Sequence, residues 1–196
     1  MAFIRTIDQD EATSEVAELY DGARARMGYV PNYARVFAHR PAAYRAWAQL
    51  VGAISGAMDT RRYELVTLAA ARRLRSTYCM LAHGSVLADK FLGPERVRDV
   101  VVDHRGAGLD EVDVAVMDLA EKIVTDATSV THEDIDRLRG LGLSDEDVVD
   151  VVLAAAARCF FSKALDALGA EPDPHYRGVE PELRAALVVG RPIGED

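Results

Sequence analysis

The stretch 63-YELVTLAAARRLRSTYCMLAH-83 decides how this chain is read. Its apolar residues recur at spacings of three and four, the period of a helix, and never alternate as in a strand. Asp59 or Thr60, just before it, can cap a helix over 61–75. Ser76 or Thr77 then offers a fresh cap for a second helix to about Phe91, where "FLGP" stops it. On that second helix Cys79 and His83 stand four apart and share a face. Cys79 falls in its first turn.

The same period runs outward from this stretch in both directions. Towards the amino terminus, 10–27 reads as a helix with Val16, Leu19, Tyr20 and Ala23 on one face and Gly28 as its stop. Pro31 opens a short helix, and Pro41 ends it and begins the next, "AAYRAWAQLVGAISG". Towards the carboxy terminus, a charged stretch with Gly106 and Gly108 leads to a helix over 110–125. Its stripe is Val112, Ala115, Val116, Leu119 and Ile123. Thr131 caps a short helix. Ser144 with Asp147 resembles a capping box and starts 145–168, which is apolar on most sides and is expected at the centre. Gly169 closes it. Pro172, Pro174 and Pro181 then break the chain into an arm ending in "ELRAALVVG" and beyond. The expected fold is all-α: a single-domain helical bundle over 1–175, with a carboxy-terminal arm over 176–196.

Composition limits the function. At 196 residues the chain fits one domain with a real core. Its net charge of -9 argues against nucleic acid or an anionic membrane surface as partner. No apolar run reaches the roughly 18 residues of a membrane span, and the acidic amino terminus lacks a signal-peptide core, so a cytoplasmic location is expected. Two cysteines 80 positions apart make no disulfide framework and read as free thiols. Cys79 and His83 are two plausible metal ligands where closed sites want about four, so no metal is implied. His39, His104, His132 and His175 show no ligand spacing. No glycine-rich phosphate loop appears, so no nucleotide cofactor is expected.

The stretch 64–83 also reads as chemistry. A thiol reacts as its thiolate, and free backbone N–H groups in a helix's first turn favour an anion there. His83, one turn on, can carry a proton, and Glu64 on the preceding helix can bias that transfer. Arg72, Arg73 and Arg75 would raise the local potential. Each residue also has an ordinary reading: Cys79 and Tyr78 as core, Ser76 as a cap, Glu64 and the arginines as a wet helix face, His83 as structural.

The pattern Glu64-X11-Ser76-X2-Cys79-X3-His83 resembles the active-site signature of one family. This is the alkylhydroperoxidase D-like (AhpD-like) branch of the carboxymuconolactone decarboxylase family, whose signature is Glu-X11-Cys-X-X-Cys-X3-His. The spacing agrees throughout, and only the first cysteine departs. "SVTHEDIDRLRGLGLSDEDVVDVVLAAAARCFFSKALDALG" resembles the carboxy-terminal half of the peroxidase-related subgroup. "VPNYARVFAHRPAAYRAW" is similar to the family near its amino terminus. The resemblance covers about residues 10–175.

It implies an all-helical, homo-oligomeric AhpD-like bundle that reduces hydroperoxides. In redox members the second cysteine attacks the peroxide and the first resolves the sulfenic acid to a disulfide. Carried over, Cys79 attacks, His83 relays protons, Glu64 is the acid/base and Ser76 replaces the resolving thiol. Tyr78 stands where redox members carry His. Serine forms no disulfide, and Cys159 sits mid-helix in "AAAARCFFSKAL", where a core role is expected. A sulfenic acid on Cys79 would then need an external thiol reductant. Two alternatives stay open. One is the founding branch's lyase or isomerase chemistry on a small lactone acid, using Glu64, His83 and nearby arginines. The other is a non-catalytic helical scaffold.

Overall fold

Helix α4 (Thr60–Leu74) is the axis of the structure. In the computed structural model, which describes residues 2–194, every residue from Tyr63 to Ala71 is buried. Helices α5 (Thr77–Leu87), α7 (Glu111–Asp126) and α9 (Asp145–Leu168) pack round it and cover its middle, so that solvent reaches only its two ends. Ala69, Ala70 and Ala71 suit this position, because small side chains let neighbouring backbones approach from several sides. Asp59 caps α4, accepting from Arg62 N at 2.9 Å.

Around that axis stand α1 (Ser14–Met27), α2 (Asn32–Phe37), α3 (Pro41–Ala57), α6 (Pro94–Asp103), α8 (His132–Gly140) and α10 (Pro181–Leu187). The described residues form an all-α, single-domain bundle without strands. Among them, no helix is long and apolar enough to cross a membrane.

The expected punctuation works. Gly28 and Gly169 end α1 and α9 in the left-handed region, at φ 79° and 74°. Ser144 and Asp147 close the capping box of α9, with Asp147 N to Ser144 Oγ at 3.1 Å and Ser144 N to Asp147 Oδ2 at 2.8 Å.

Four expectations are corrected. The first helix begins at Ser14, after a separate 3-10 turn at Gln9–Glu11. Helix α5 ends at Leu87 and widens into one turn of π-helix, Ala88–Leu92, before Gly93. The charged stretch holds a true helix, α6, because Pro94 starts it and Val97, Val100 and Val101 share one buried face. And α4, rather than α9, is central: α9 leaves Val149, Leu153 and Phe160 exposed.

The carboxy-terminal arm packs on the bundle. It lies on its own chain, with α10 against α5 and α6. Leu187 is fully buried over Gly84, where a Cβ would stand 2.5 Å from a Leu187 methyl. Burying such a leucine contributes about 2 kcal/mol. Beyond α10, Gly190 N donates to Thr77 Oγ1 at 2.8 Å and Arg75 Nε to Val189 O at 3.2 Å. The strap therefore crosses the α4–α5 turn, at the start of the helix that carries Cys79. Residues 1, 195 and 196, the outermost parts of the expected domain and arm, lie outside the described residues.

Candidate active site

The α4–α5 turn sets the geometry. Arg75 takes the left-handed conformation at φ 56°, while Ser76 N donates back to Ala71 O at 3.0 Å. The chain reverses within two residues, so α5 lies against α4. Cys79 occupies the third position of α5, within the turn where backbone N–H groups lack helical acceptors.

Glu64 on α4 and His83 on α5 meet directly, with Oε2 2.5 Å from Nδ1. An ionised carboxylate only accepts, so Nδ1 carries the proton and a neutral ring leaves Nε2 as a base. Burial lowers the pKa of His83 below its usual 6.5. The Arg158 charge lowers it further, and Glu64 opposes both. The neutral ring therefore dominates near neutral pH. The Tyr63 ring stands edge-on to His83, 6.2 Å between centroids.

The sulfur of Cys79 receives its donors from α9. Ser162 Oγ donates to Sγ at 3.2 Å and Arg158 Nη1 at 3.5 Å. Arg158 Nη2 also donates to Tyr63 OH at 3.5 Å. Trp47 of α3 stacks on Phe161 at 4.0 Å, and both rings lie about the guanidinium, 6.0 and 5.8 Å from its carbon. Cys79 is 2% exposed and Arg158 4%, whereas the His83 side chain keeps 14%. Solvent thus meets the site on the histidine side, with the sulfur and guanidinium behind it.

Of the four expected residues, the structure joins Glu64 directly to His83, and Cys79 stands one turn before His83 on the same helix. Ser76 occupies the N-cap position of α5, but its hydroxyl makes no capping bond. It lies fully buried by Asp166. Burial pushes the Asp166 carboxyl up, and the Ser76 hydroxyl and Arg191 pull against that rise. Tyr78 points away from the sulfur, donating to Asp173 Oδ2 and accepting from Tyr33 N.

The expected arginines are elsewhere. Arg72 approaches Glu121 at 3.8 Å, Arg73 donates to Thr125, and Arg75 holds Val189. Their place is taken by Arg158, which sequence reasoning missed. A usable signal existed: Arg158 and Ser162, four apart, are polar residues on one face of a helix otherwise apolar on most sides. Cys159 is half-buried rather than in the core, and burial pushes its thiol up while Lys163 opposes this.

No family model and no curated protein matches the chain. Solved structures do. One is the alkylhydroperoxidase AhpD core of an uncharacterized peroxidase-related protein from Ralstonia eutropha JMP134. It aligns with TM-score 0.81 and 22% identity over 89% of this chain and 94% of that one. The chain has the AhpD-like fold. A peroxidase-related protein from Silicibacter sp. TM1040 shares this AhpD-like architecture at TM-score 0.79 and 19% identity, over 88% and 94% of the two chains. So does the debrominase Bmp8, whose C82A variant was solved with 2,3,4-tribromopyrrole. It matches at TM-score 0.73 and 15% identity, over 95% and 98%. The AhpD-like bundle read from the Glu64–His83 pattern is the observed fold.

Proposed function

We propose that this chain is a one-cysteine, AhpD-like peroxidase that reduces a small hydroperoxide with an external thiol. The observation that carries the reading is the pair of donors, Arg158 and Ser162, converging on Cys79 Sγ. Donors of this kind favour a negatively charged sulfur, and the thiolate is the nucleophile. The sulfur attacks the terminal peroxide oxygen. An S–O bond forms, the O–O bond breaks, and the leaving alkoxide takes a proton relayed through His83. The sulfur is oxidised by two electrons and the peroxide is reduced to an alcohol or water.

Return needs reductant from outside. Ser76 offers no thiol, and both cysteines are free. A first external thiol attacks the sulfenic sulfur, forming a mixed disulfide and releasing water. A second thiol takes over that disulfide and frees Cys79. The lyase alternative needs a cation beside Glu64 and His83 but no thiol, so the two donors aimed at Cys79 Sγ favour the thiol reading over it.

The same proposal includes a homo-oligomer. Leu50 on α3 and Leu153 and Phe160 on α9 are exposed and line one apolar cleft. Arg45 is the single charged residue of Pro41–Ala57. An uncharged face can meet its own copy about a two-fold axis without like-charge repulsion, which suits a second copy of this acidic chain.

Peroxide consumption in the presence of a small dithiol tests the function. The proposal expects consumption that needs both the thiol and Cys79. Equal consumption by Cys79→Ser would sink it. Loss of a lactone acid, without peroxide consumption, would assign the chain to the lyase branch instead.

A further inference from the structure

Arg158 poses a problem of charge. Its side chain sits in the interior beside the rings of Trp47 and Phe161. Burying a cation without a counter-charge is costly, and ring contacts return only part of that cost. Among the described residues no carboxylate lies within ion-pair distance of it, and its Nε has no partner. Tyr63 supplies no charge, because burial pushes its hydroxyl up and outweighs the pull of Arg158. The remaining ionisable group in contact is Cys79, with Ser162 as a second donor to the same sulfur.

We propose that Arg158 and Cys79 form a buried ion pair, with Arg158 as the positioning residue that holds negative charge on Sγ and Ser162 as its auxiliary. The pair rests on Cys79 being the reacting atom of the proposed function, but not on peroxide being its substrate. The pair also accounts for the layout of the site: the proton-handling His83 is the most solvent-accessible of these groups, and the charge-holding arginine stands behind the sulfur.

The test is the alkylation rate of Cys79 by iodoacetamide, a neutral reagent, at fixed neutral pH in the full chain. Cys159, next to Arg158 on α9, serves as internal clock. Arg158→Met keeps the volume and removes the charge. Arg158→Lys keeps the charge and loses the planar fork. The ion pair predicts that Cys79 outpaces Cys159 in wild type. It also predicts that Arg158→Met slows Cys79 about tenfold or more and that Arg158→Lys lies between them. Ser162→Ala, a milder change that spares the fold, slows it about threefold.

A merely structural arginine gives the reverse ranking, with Met above Lys, because apolar packing survives in Met. That ranking overturns the proposal. So does wild-type Cys79 labelling more slowly than Cys159. Should Arg158→Met lose its helical signal, the Lys and Ser162→Ala rates decide: both at wild-type level overturn the pair. Fast labelling without any reaction with peroxide would remove the peroxidase reading and leave the ion pair standing.

Discussion

His83 Nδ1 and Glu64 Oε2 stand 2.5 Å apart, joining α5 to α4 at the solvent side of the site. Because burial and Arg158 depress the His83 pKa, the folded chain binds fewer protons at this ring than the unfolded chain does. Stability from this group is therefore fully present above the unfolded value of 6.5. It is lost as the pH falls through the lower folded value. The denaturant midpoint should be flat just above 6.5 and fall below it. The rate of Cys79 oxidation should lose activity over the same acid limb. Glu64 pulls the ring's pKa upward, so Glu64→Gln should move the acid limb to lower pH. A limb moving to higher pH would contradict this assignment.

Ser76 and Cys79 lie three apart at the start of α5. Ser76→Cys should therefore restore the two-cysteine spacing of the family pattern. Mild peroxide should take two hydrogens from this variant and none from wild type, read by non-reducing mass spectrometry. Ser76 makes no capping bond, so the exchange should not lose the roughly 1 kcal/mol of a cap. Oxidation of the variant to sulfinic acid alone would mean that the two side chains do not face each other.

Much of this arrangement was legible in the sequence, and the gaps have physical causes. Gly28, Gly169, Asp59 and the Ser144–Asp147 box act within one turn of the chain, so local rules find them. The Glu64, Cys79 and His83 spacing is also local to two helices. Arg158 is not: its sulfur partner is 79 residues away in sequence, and spacing within one helix says nothing of that contact. The centrality of α4 over α9 was hidden for a related reason. Both are rich in small apolar residues, and periodicity does not tell a face covered by a neighbour from one left open. Prolines set the arm apart from α9 in the sequence without saying where it docks. Gly84, which admits Leu187, and Gly190, whose Cβ would stand 2.0 Å from Arg75 O, reveal its docking only once the chain is folded.

The exposed face of α3 and α9 carries the oligomer proposal. Light scattering should give more than one copy at micromolar concentration. Phe160→Glu places a charge beside its own symmetry mate and should drive the assembly to monomer without unfolding it. Truncation before α10 should instead lower stability, because Leu183 and Leu187 are buried within the chain's own bundle. A wild-type monomer, or an oligomer untouched by Phe160→Glu, would refute this face as the contact.

The central claim is that Cys79 reacts with a hydroperoxide and is returned by a thiol from outside the chain. Intact mass spectrometry after limiting hydrogen peroxide tests it most directly, with peptide mapping to locate the change. The account predicts a gain of one oxygen on Cys79 and none on Cys159. Added dithiol should reverse the gain, and Cys79→Ser should abolish it. A chain whose Cys79 takes up no oxygen, or takes it up no faster than Cys159, would contradict the account.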